Sequence, residues 1–231
     1  MKNIEYTKMA CVYDKFYQKK NYVKEVEFIK SVLGVSACKI LDAGCGTGTH
    51  AKLLADSGFN VWGFDASPDM VAVANSKVEG RFFEGNLLSF SSDEKFDAVI
   101  SFFAVFNHLK SYKEFKQALS NLKRCLNKNG KIIIDLHNPT KSGSKTEDVD
   151  GLKRIMRWRV VRWLGKEFSK ITYFVGGKKY ITRHTFSIFK IEKIKKIAEI
   201  LGFSSVEFFE NYNSELVANS NSKNIQVVLK V

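Results

Sequence analysis

The chain has 231 residues with a formal charge of +13 at pH 7, and 45% of its residues are hydrophobic, which excludes intrinsic disorder and predicts a folded domain with a sizeable core. No run approaches the roughly 18 apolar residues of a membrane helix, and Lys2, Glu5, Lys8, Asp14 and Lys15 interrupt the N-terminus where a secretory leader needs an apolar stretch. A cytoplasmic protein with no membrane partner is expected, and because Cys11, Cys38, Cys45 and Cys125 include no Cys-x-x-Cys pair, neither a disulfide framework nor a metal site is expected.

Aromatic residues open the chain at helical spacing (Tyr6, Tyr13, Phe16, Tyr17, Tyr22). Val23, Val26, Ile29, Val32 and Leu33 continue that period to Gly34, which is placed to end a helix. Residues 38–43 read as a buried strand entering a glycine-rich turn, and 47–57 as a helix. Strand patterns at 59–65, 80–84, 96–103 and 130–136 alternate with helical patterns at 68–77 and 111–127. Such alternation predicts an α/β fold, an open Rossmann-like and mainly parallel sheet.

After Pro139 the texture changes. Residues 140–151 read as loop, and Met156 to Leu164, Lys170 to Val175 and Lys179 to Phe189 are rich in β-branched and aromatic residues. Gly176-Gly177 marks a tight hairpin between the last two runs. The expectation is a small antiparallel β insertion over 140–190, after the fifth strand. A helix at 191–201, ended by Gly202, and strands at 203–211 and 224–231 close the chain. Residues 1–231 thus form a single domain, with 1–34 as an N-terminal helical lid.

The turn Leu41-Asp42-Ala43-Gly44-Cys45-Gly46-Thr47-Gly48 sits between strand and helix, where open α/β sheets bind nucleotide-like ligands. It lacks the third glycine of a dinucleotide fingerprint, because residue 49 is Thr49, and it lacks the Gly-Lys-Ser/Thr of a phosphate loop. Asp65 ends the second strand, placed to accept hydrogen bonds from ribose hydroxyls. Asp42 adds a carboxylate at the tip of the first strand, which would repel a pyrophosphate and suit an ammonium group. A ribose, an ammonium and no phosphate together describe S-adenosylmethionine.

These residues, with Gly63-Phe64-Asp65-Ala66-Ser67-Pro68-Asp69-Met70, Phe96-Asp97-Ala98-Val99-Ile100-Ser101 and Asn129-Gly130-Lys131-Ile132-Ile133-Ile134, resemble the class I S-adenosylmethionine-dependent methyltransferases. The resemblance runs in order from about residue 13 to 137. It implies that Gly44, Cys45 and Gly46 pass under the methionine moiety, that Asp65 holds the ribose and that Met70 lies by the adenine. Tyr22, Thr47, Ala66, Gly85, Asn86, Leu87, Ser101, Phe102 and Phe103 would complete the cofactor site. Asn86 stands where the family usually carries an acid, which leaves an amide oxygen to accept from the adenine amino group.

His108, just beyond the fourth strand, is where this fold places its acceptor; a histidine there either caps the following helix or serves as a base toward an amine. Tyr13-Asp14-Lys15-Phe16-Tyr17, Asn107-His108-Leu109 and Thr185-Phe186-Ser187-Ile188-Phe189 resemble the subgroup that dimethylates nucleotide-linked amino sugars. That resemblance implies Tyr6 and His108 on either side of the acceptor amine, with Tyr13 on the cofactor carboxylate. His50 is expected to pack, and His137 and His184 are weaker candidates.

Ten cations and a single acid, Glu167, lie between Lys153 and Arg183. Three readings compete for them: a pocket wall for a phosphorylated small molecule, a platform for RNA, or a solvated strand face. The run Phe102-Phe103-Ala104-Val105 lacks the Asn/Asp-Pro-Pro-aromatic signature of base-amine methylation, which turns the reading from nucleic acid toward a small molecule, and because most of the excess charge lies in one insertion outside the cofactor core it reads as a feature of the acceptor side. The alternatives are an RNA methyltransferase using the basic insertion and a non-catalytic S-adenosylmethionine-binding protein. A homodimer formed through the insertion is a further expectation.

Overall fold

The structure is a computed structural model that describes residues 4–34 and 38–231, the side chains of residues 4–9 and 11 excepted. Two helices come first, α1 (Ile4–Tyr17) and α2 (Tyr22–Leu33). Asn21 caps α2 by accepting the Lys24 N–H, and Gly34 ends it at φ 65°, donating back to the Lys30 carbonyl.

Strands β1 (Lys39–Ala43), β2 (Asn60–Asp65) and β3 (Arg81–Glu84) alternate with helices α3 (Thr49–Asp56) and α4 (Pro68–Lys77). Ser67 caps α4, and Pro68 starts it where no N–H is needed. β4 (Phe96–Ser101), α5 (Tyr112–Arg124) and β5 (Leu126–His137) follow. β6 (Gly143–Val149), β7 (Leu152–Val161), β8 (Lys166–Val175) and β9 (Lys178–Ser187) form a separate antiparallel sheet in that order. The chain closes with α6 (Ile191–Ile200), β10 (Ser205–Glu210), β11 (Asn213–Val217) and β12 (Asn224–Lys230).

The main sheet has the order β11-β10-β12-β5-β4-β1-β2-β3. Strands β3, β2, β1, β4 and β5 are parallel, and β12 runs antiparallel between β5 and β10. From β1 the chain builds outward through β2 and β3, then returns to place β4 on the other side. That reversal leaves a crevice beyond the C-terminal ends of β1 and β4. The strands read as continuous apolar runs because both faces are covered: Ile132 and Ile134 pack toward α5 and α6, and Ile133 between them packs toward the α2 and α3 face.

The expected fold class is the one observed, with three local differences. Residues 140–151, expected as loop, contain β6. Its Ser-Lys-Thr-Glu-Asp sequence has no apolar alternation, and it is a strand because β7 offers it a full ladder from Gly143 opposite Trp158 to Val149 opposite Leu152. Gly143 is needed there, since a Cβ would come within 2.6 Å of the Trp158 ring. The fifth strand begins earlier than expected, at Leu126, where a register shift against β4 and a left-handed Asn129 (φ 64°) take up the extra residues. Finally, β11 is an additional exposed edge strand.

Candidate functional site

Gly44, Cys45, Gly46 and Thr47 line the crevice at the tip of β1. The N–H groups of Gly44 and Cys45 both donate to the Phe64 carbonyl, and Gly46 N–H donates to the Asp65 carboxylate at 2.9 Å. Gly44 has φ 85°, and a Cβ on it would sit 2.7 Å from both Val105 methyls. Gly46, at φ 54°, has open space where its Cβ would be. One glycine therefore serves close packing and the other leaves an approach to the backbone.

Asp65 accepts from Gly46 N–H through one oxygen and from Ser67 N–H through the other. Each oxygen keeps a lone pair for a further donor. Burial raises its pKa, against the lowering effect of the backbone N–H groups of Ser67, Gly46 and Ala66. Asp42 differs: it is 2% exposed, its Oδ2 has no partner among the described residues, and burial pushes its pKa up to about 7. A buried carboxylate oxygen without a donor, beside an open glycine turn, fits a cationic group of the kind S-adenosylmethionine carries.

The other expected contacts divide. Gly85 N–H donates to the Asp65 carbonyl, which ties the start of the 85–88 turn to the end of β2. The Asn86 side-chain oxygen already accepts Leu88 N–H at 2.9 Å, so only its remaining lone pair is left for an adenine. Leu87 and Met70 are buried and Ala66 is exposed. Ser101 and Phe102 turn inward: Ser101 Oγ donates to the Ala43 carbonyl at 2.6 Å, and the Phe102 ring stacks on Tyr212 and packs against His50. Of that group, Phe103 meets α1, with the rings of Tyr13 and Tyr17 edge-on to it.

Helix α1 itself is anchored. Asp14 accepts from Thr47 Oγ at 2.6 Å and pairs with Lys77, which joins α1 to the glycine turn and to α4. Tyr22 lies edge-on to His50 with the Lys20 ammonium over its ring, and burial raises its pKa. Tyr6 lies in α1, but its side chain is outside the described ones.

Sequence reasoning missed a buried network beneath the crevice. His50 Nε2 meets Glu25 at 2.6 Å, and Lys20 pairs with the same carboxylate. Burial alone would raise the Glu25 pKa, but these hydrogen bonds and charges outweigh it and hold it below the usual range. Asp135 accepts from Ala104 N–H at 2.6 Å and from the Tyr212 hydroxyl at 2.8 Å. The available signal for Asp135 is its position as a carboxylate inside the apolar run of β5. Its bond to Ala104 steadies consecutive left-handed residues, Phe103 (φ 72°) and Ala104 (φ 59°), which aim the segment after β4.

That segment carries His108. Asn107 holds it, donating to the carbonyls of His137 and Ser187 and accepting from His137 N–H, so the short 3-10 turn Val105–His108 is pinned to β5 and β9 at once. The His108 ring lies 4.6 Å from Phe186 and 5.9 Å from His184, centre to centre. It is both crowded and exposed, as a cleft wall is: solvent reaches one side while desolvation first, and His184 second, lower its pKa toward about 4. His108 is therefore neutral at physiological pH. His137 faces the buried Glu167 at 3.2 Å. No described group of three or more His, Cys, Asp and Glu side chains is arranged to hold a metal.

The inner face of the four-stranded sheet closes this cleft. Arg154 on that face lies over the Phe16 and Tyr17 rings and pairs with Glu147, while Tyr173 packs on Phe16. The remaining cations correct the expectation that the excess charge belongs to the acceptor side. In the strand register Lys153, Arg157, Arg159, Lys170, Lys179 and Arg183 alternate to the opposite, outer face, whereas Lys178 has the inner parity and Lys166 donates to the Lys110 carbonyl and the Ser187 hydroxyl.

Comparison with known proteins agrees with this architecture. Residues 40–130 match the methyltransferase domain family. A protein of Geobacillus sp. (strain WCH70) named as a methyltransferase is 26% identical over 94% of this chain and 96% of its own length. A dTDP-3-amino-3,4,6-trideoxy-alpha-D-glucopyranose N,N-dimethyltransferase of Streptomyces venezuelae is 29% identical over 54% of this chain and 56% of its own length. A crystal structure of an S-adenosylmethionine-dependent methyltransferase from Clostridium acetobutylicum shares the fold over 98% of both chains, with a TM-score of 0.84 at 20% identity.

Proposed function

We propose that this chain, whose methyltransferase domain and relatives mark it as an S-adenosylmethionine-dependent methyltransferase, methylates the nitrogen of a small-molecule amine, a nucleotide-linked amino sugar being the leading substrate class. The observation that carries the proposal is His108, a neutral imidazole fixed at a cleft wall beyond β4. The relatives that act on amino sugars support it over about half the chain.

When bound, S-adenosylmethionine supplies a methyl group on a sulfonium whose leaving group is a neutral thioether. The work of the chain is then to bind, orient and exclude water. Asp65 receives ribose hydroxyls on its free lone pairs, Asp42 faces the ammonium, and the open side of Gly46 admits the methionine portion. Tyr13, Tyr17 and Phe103 shield the sulfonium side, where aromatic faces attract a cation by about 0.5–2 kcal/mol. Tyr13 lies toward the cofactor carboxylate.

His108 accepts one N–H of the acceptor amine and so aims its lone pair at the methyl group. With its low pKa the imidazole is a weak proton sink. Its value is to orient the neutral amine without adding a second positive charge beside the sulfonium. Tyr6 remains the proposed partner on the far side of the amine. The amine's own proton leaves to solvent, so the rate should rise with pH as the amine deprotonates.

The test is methyl transfer from isotope-labelled S-adenosylmethionine to a panel of nucleotide-linked amino sugars, free amines, phenols and short RNAs, with products read by mass spectrometry. N-methylated amino sugars are the expected products. Methylation of oxygen acceptors or RNA with untouched amines would overturn the proposal.

A further inference from the structure

The outer face of the four-stranded sheet has no part in the cleft just described. Across β7, β8 and β9 its side chains fall into rows set by the register. Lys153, Phe174 and Lys179 form one row, Arg157, Lys170 and Arg183 another, and Arg159, Phe168 and Thr185 the next. All six of these cations are exposed, and among the described residues none forms an ion pair. The single acid on that face, Asp148, stands opposite Lys153 at the sheet's edge.

Three like charges directly opposite one another on adjacent strands destabilise a sheet. Inside the same sheet Arg154 has a carboxylate partner on the inner face, so the absence of partners outside is specific to one side. Phe168 and Phe174 are 43% and 37% exposed, and each stands between cationic positions. A shallow, open pocket of ≈ 360 Å³ lies between the Arg157-Lys170-Arg183 row and the Phe168 row. α1 packs on the other side of the sheet, through Phe16 against Tyr173, so the outer face stays open.

We propose that this outer face binds single-stranded nucleic acid, as a second surface separate from the methyl-transfer cleft. Arg157 and Arg159 stand two residues of extended chain apart on β7, roughly 6.6–6.8 Å, and on β8 and β9 the outer cations recur every four residues, roughly 13 Å, with Phe168 between Lys166 and Lys170. Phosphates then meet the cationic rows while bases stack on Phe168 and Phe174, a combination tolerant of sequence. A second copy of the chain is a poor occupant, because a twofold contact would set six unpaired cations against six more. A bilayer is poorer still, since Phe168 and Phe174 lie flanked by cationic positions within the strand rows and do not form a protruding apolar edge to insert.

The experiment is fluorescence anisotropy with the full chain and a labelled oligouridylate of about twelve nucleotides, within the usual range of single-strand sites, titrated across a series of salt concentrations. Saturable binding is expected, weakening with salt by a log–log slope of about −0.7 per phosphate contact. The variant R157Q/K170Q/R183Q should bind at least about tenfold more weakly, with a slope shallower by about 2. Phe168→Ala should lose about fivefold or more through stacking alone. Both variants should keep S-adenosylmethionine affinity, and the triple variant should melt higher than the parent because repulsion is relieved. Absence of saturable binding, equal binding by parent and triple variant, a preference for anionic vesicles over the oligonucleotide, or a change in sedimentation of the triple variant toward monomer would each overturn the proposal.

Discussion

The glycine turn at the tip of β1 and the antiparallel sheet beside it both face the same cleft, yet they are built on different principles. In the turn, contiguous residues converge on one crevice: three glycines at positive φ, Gly44, Gly46 and Gly48, and the Asp42 carboxylate with an oxygen left unpartnered, beside which the end of β2 sets Asp65 with both oxygens held by backbone N–H groups. In the sheet, neighbouring residues diverge, since each strand sends one side chain toward the cleft and the next away from it. A binding turn is thus specified by what sits next to what. A sheet wall is specified by alternation and register, so charge counted along the sequence says little about which side carries it.

Substitutions can break that contrast. The largest effect is expected at Gly44→Ala, which combines an unfavourable left-handed backbone with a Cβ pressed against Val105. It should cost about 2–4 kcal/mol in denaturant unfolding and remove measurable cofactor binding. The same kind of change at Gly46, where space is open, should cost about half as much or less in stability.

His108→Ala comes next, with turnover expected to fall about tenfold to a thousandfold while cofactor affinity by calorimetry stays within a few-fold. A similar loss of cofactor affinity would place His108 in the wrong site. Because its folded pKa is depressed, His108 costs stability on acidification: folding should weaken as pH falls from about 6.5 toward 4, and the His108→Ala variant should lose that part of the acid sensitivity. Asp65→Ala should weaken cofactor binding by about tenfold to a hundredfold through lost charge-assisted hydrogen bonds.

Asp42 gives the smallest effect and the sharpest signature. Its pKa of about 7 means that below neutrality the free protein holds it protonated, and a bound ammonium must draw the proton off. Cofactor affinity should therefore rise with pH by up to about tenfold per unit below 7 and level above it. Asp42→Asn should flatten that profile. A wild-type affinity independent of pH between 5.5 and 8, as about two units around the pKa would span, would sink the assignment.

Much of the fold was legible in the sequence because strand and helix periods, caps and glycine stops are local. Asn21, Gly34, Ser67 and Pro68 each act within one turn of chain, and the hairpin glycines Gly176 and Gly177 both take positive φ. β6 was not legible, since its polar residues carry no pattern of their own and become a strand only beside β7. The site was legible where it is contiguous, from Asp42 to Gly48. It was not where distant segments meet, as in Glu25 with His50, Asp135 with Tyr212, Asp14 with Thr47, and Asn107 clamping β5 to β9.

The sequence by itself determined the strand–turn–helix that opens the crevice, the alternation that makes the sheet parallel, and the amount of positive charge in 153–183. Only the tertiary structure decided which carboxylate is left without a partner, that His108 is neutral, and that six of the cations, Lys153, Arg157, Arg159, Lys170, Lys179 and Arg183, face away from the cleft. The physical reason is common to all three: burial, desolvation and register depend on residues far apart in the chain, which the local pattern of any one segment does not contain.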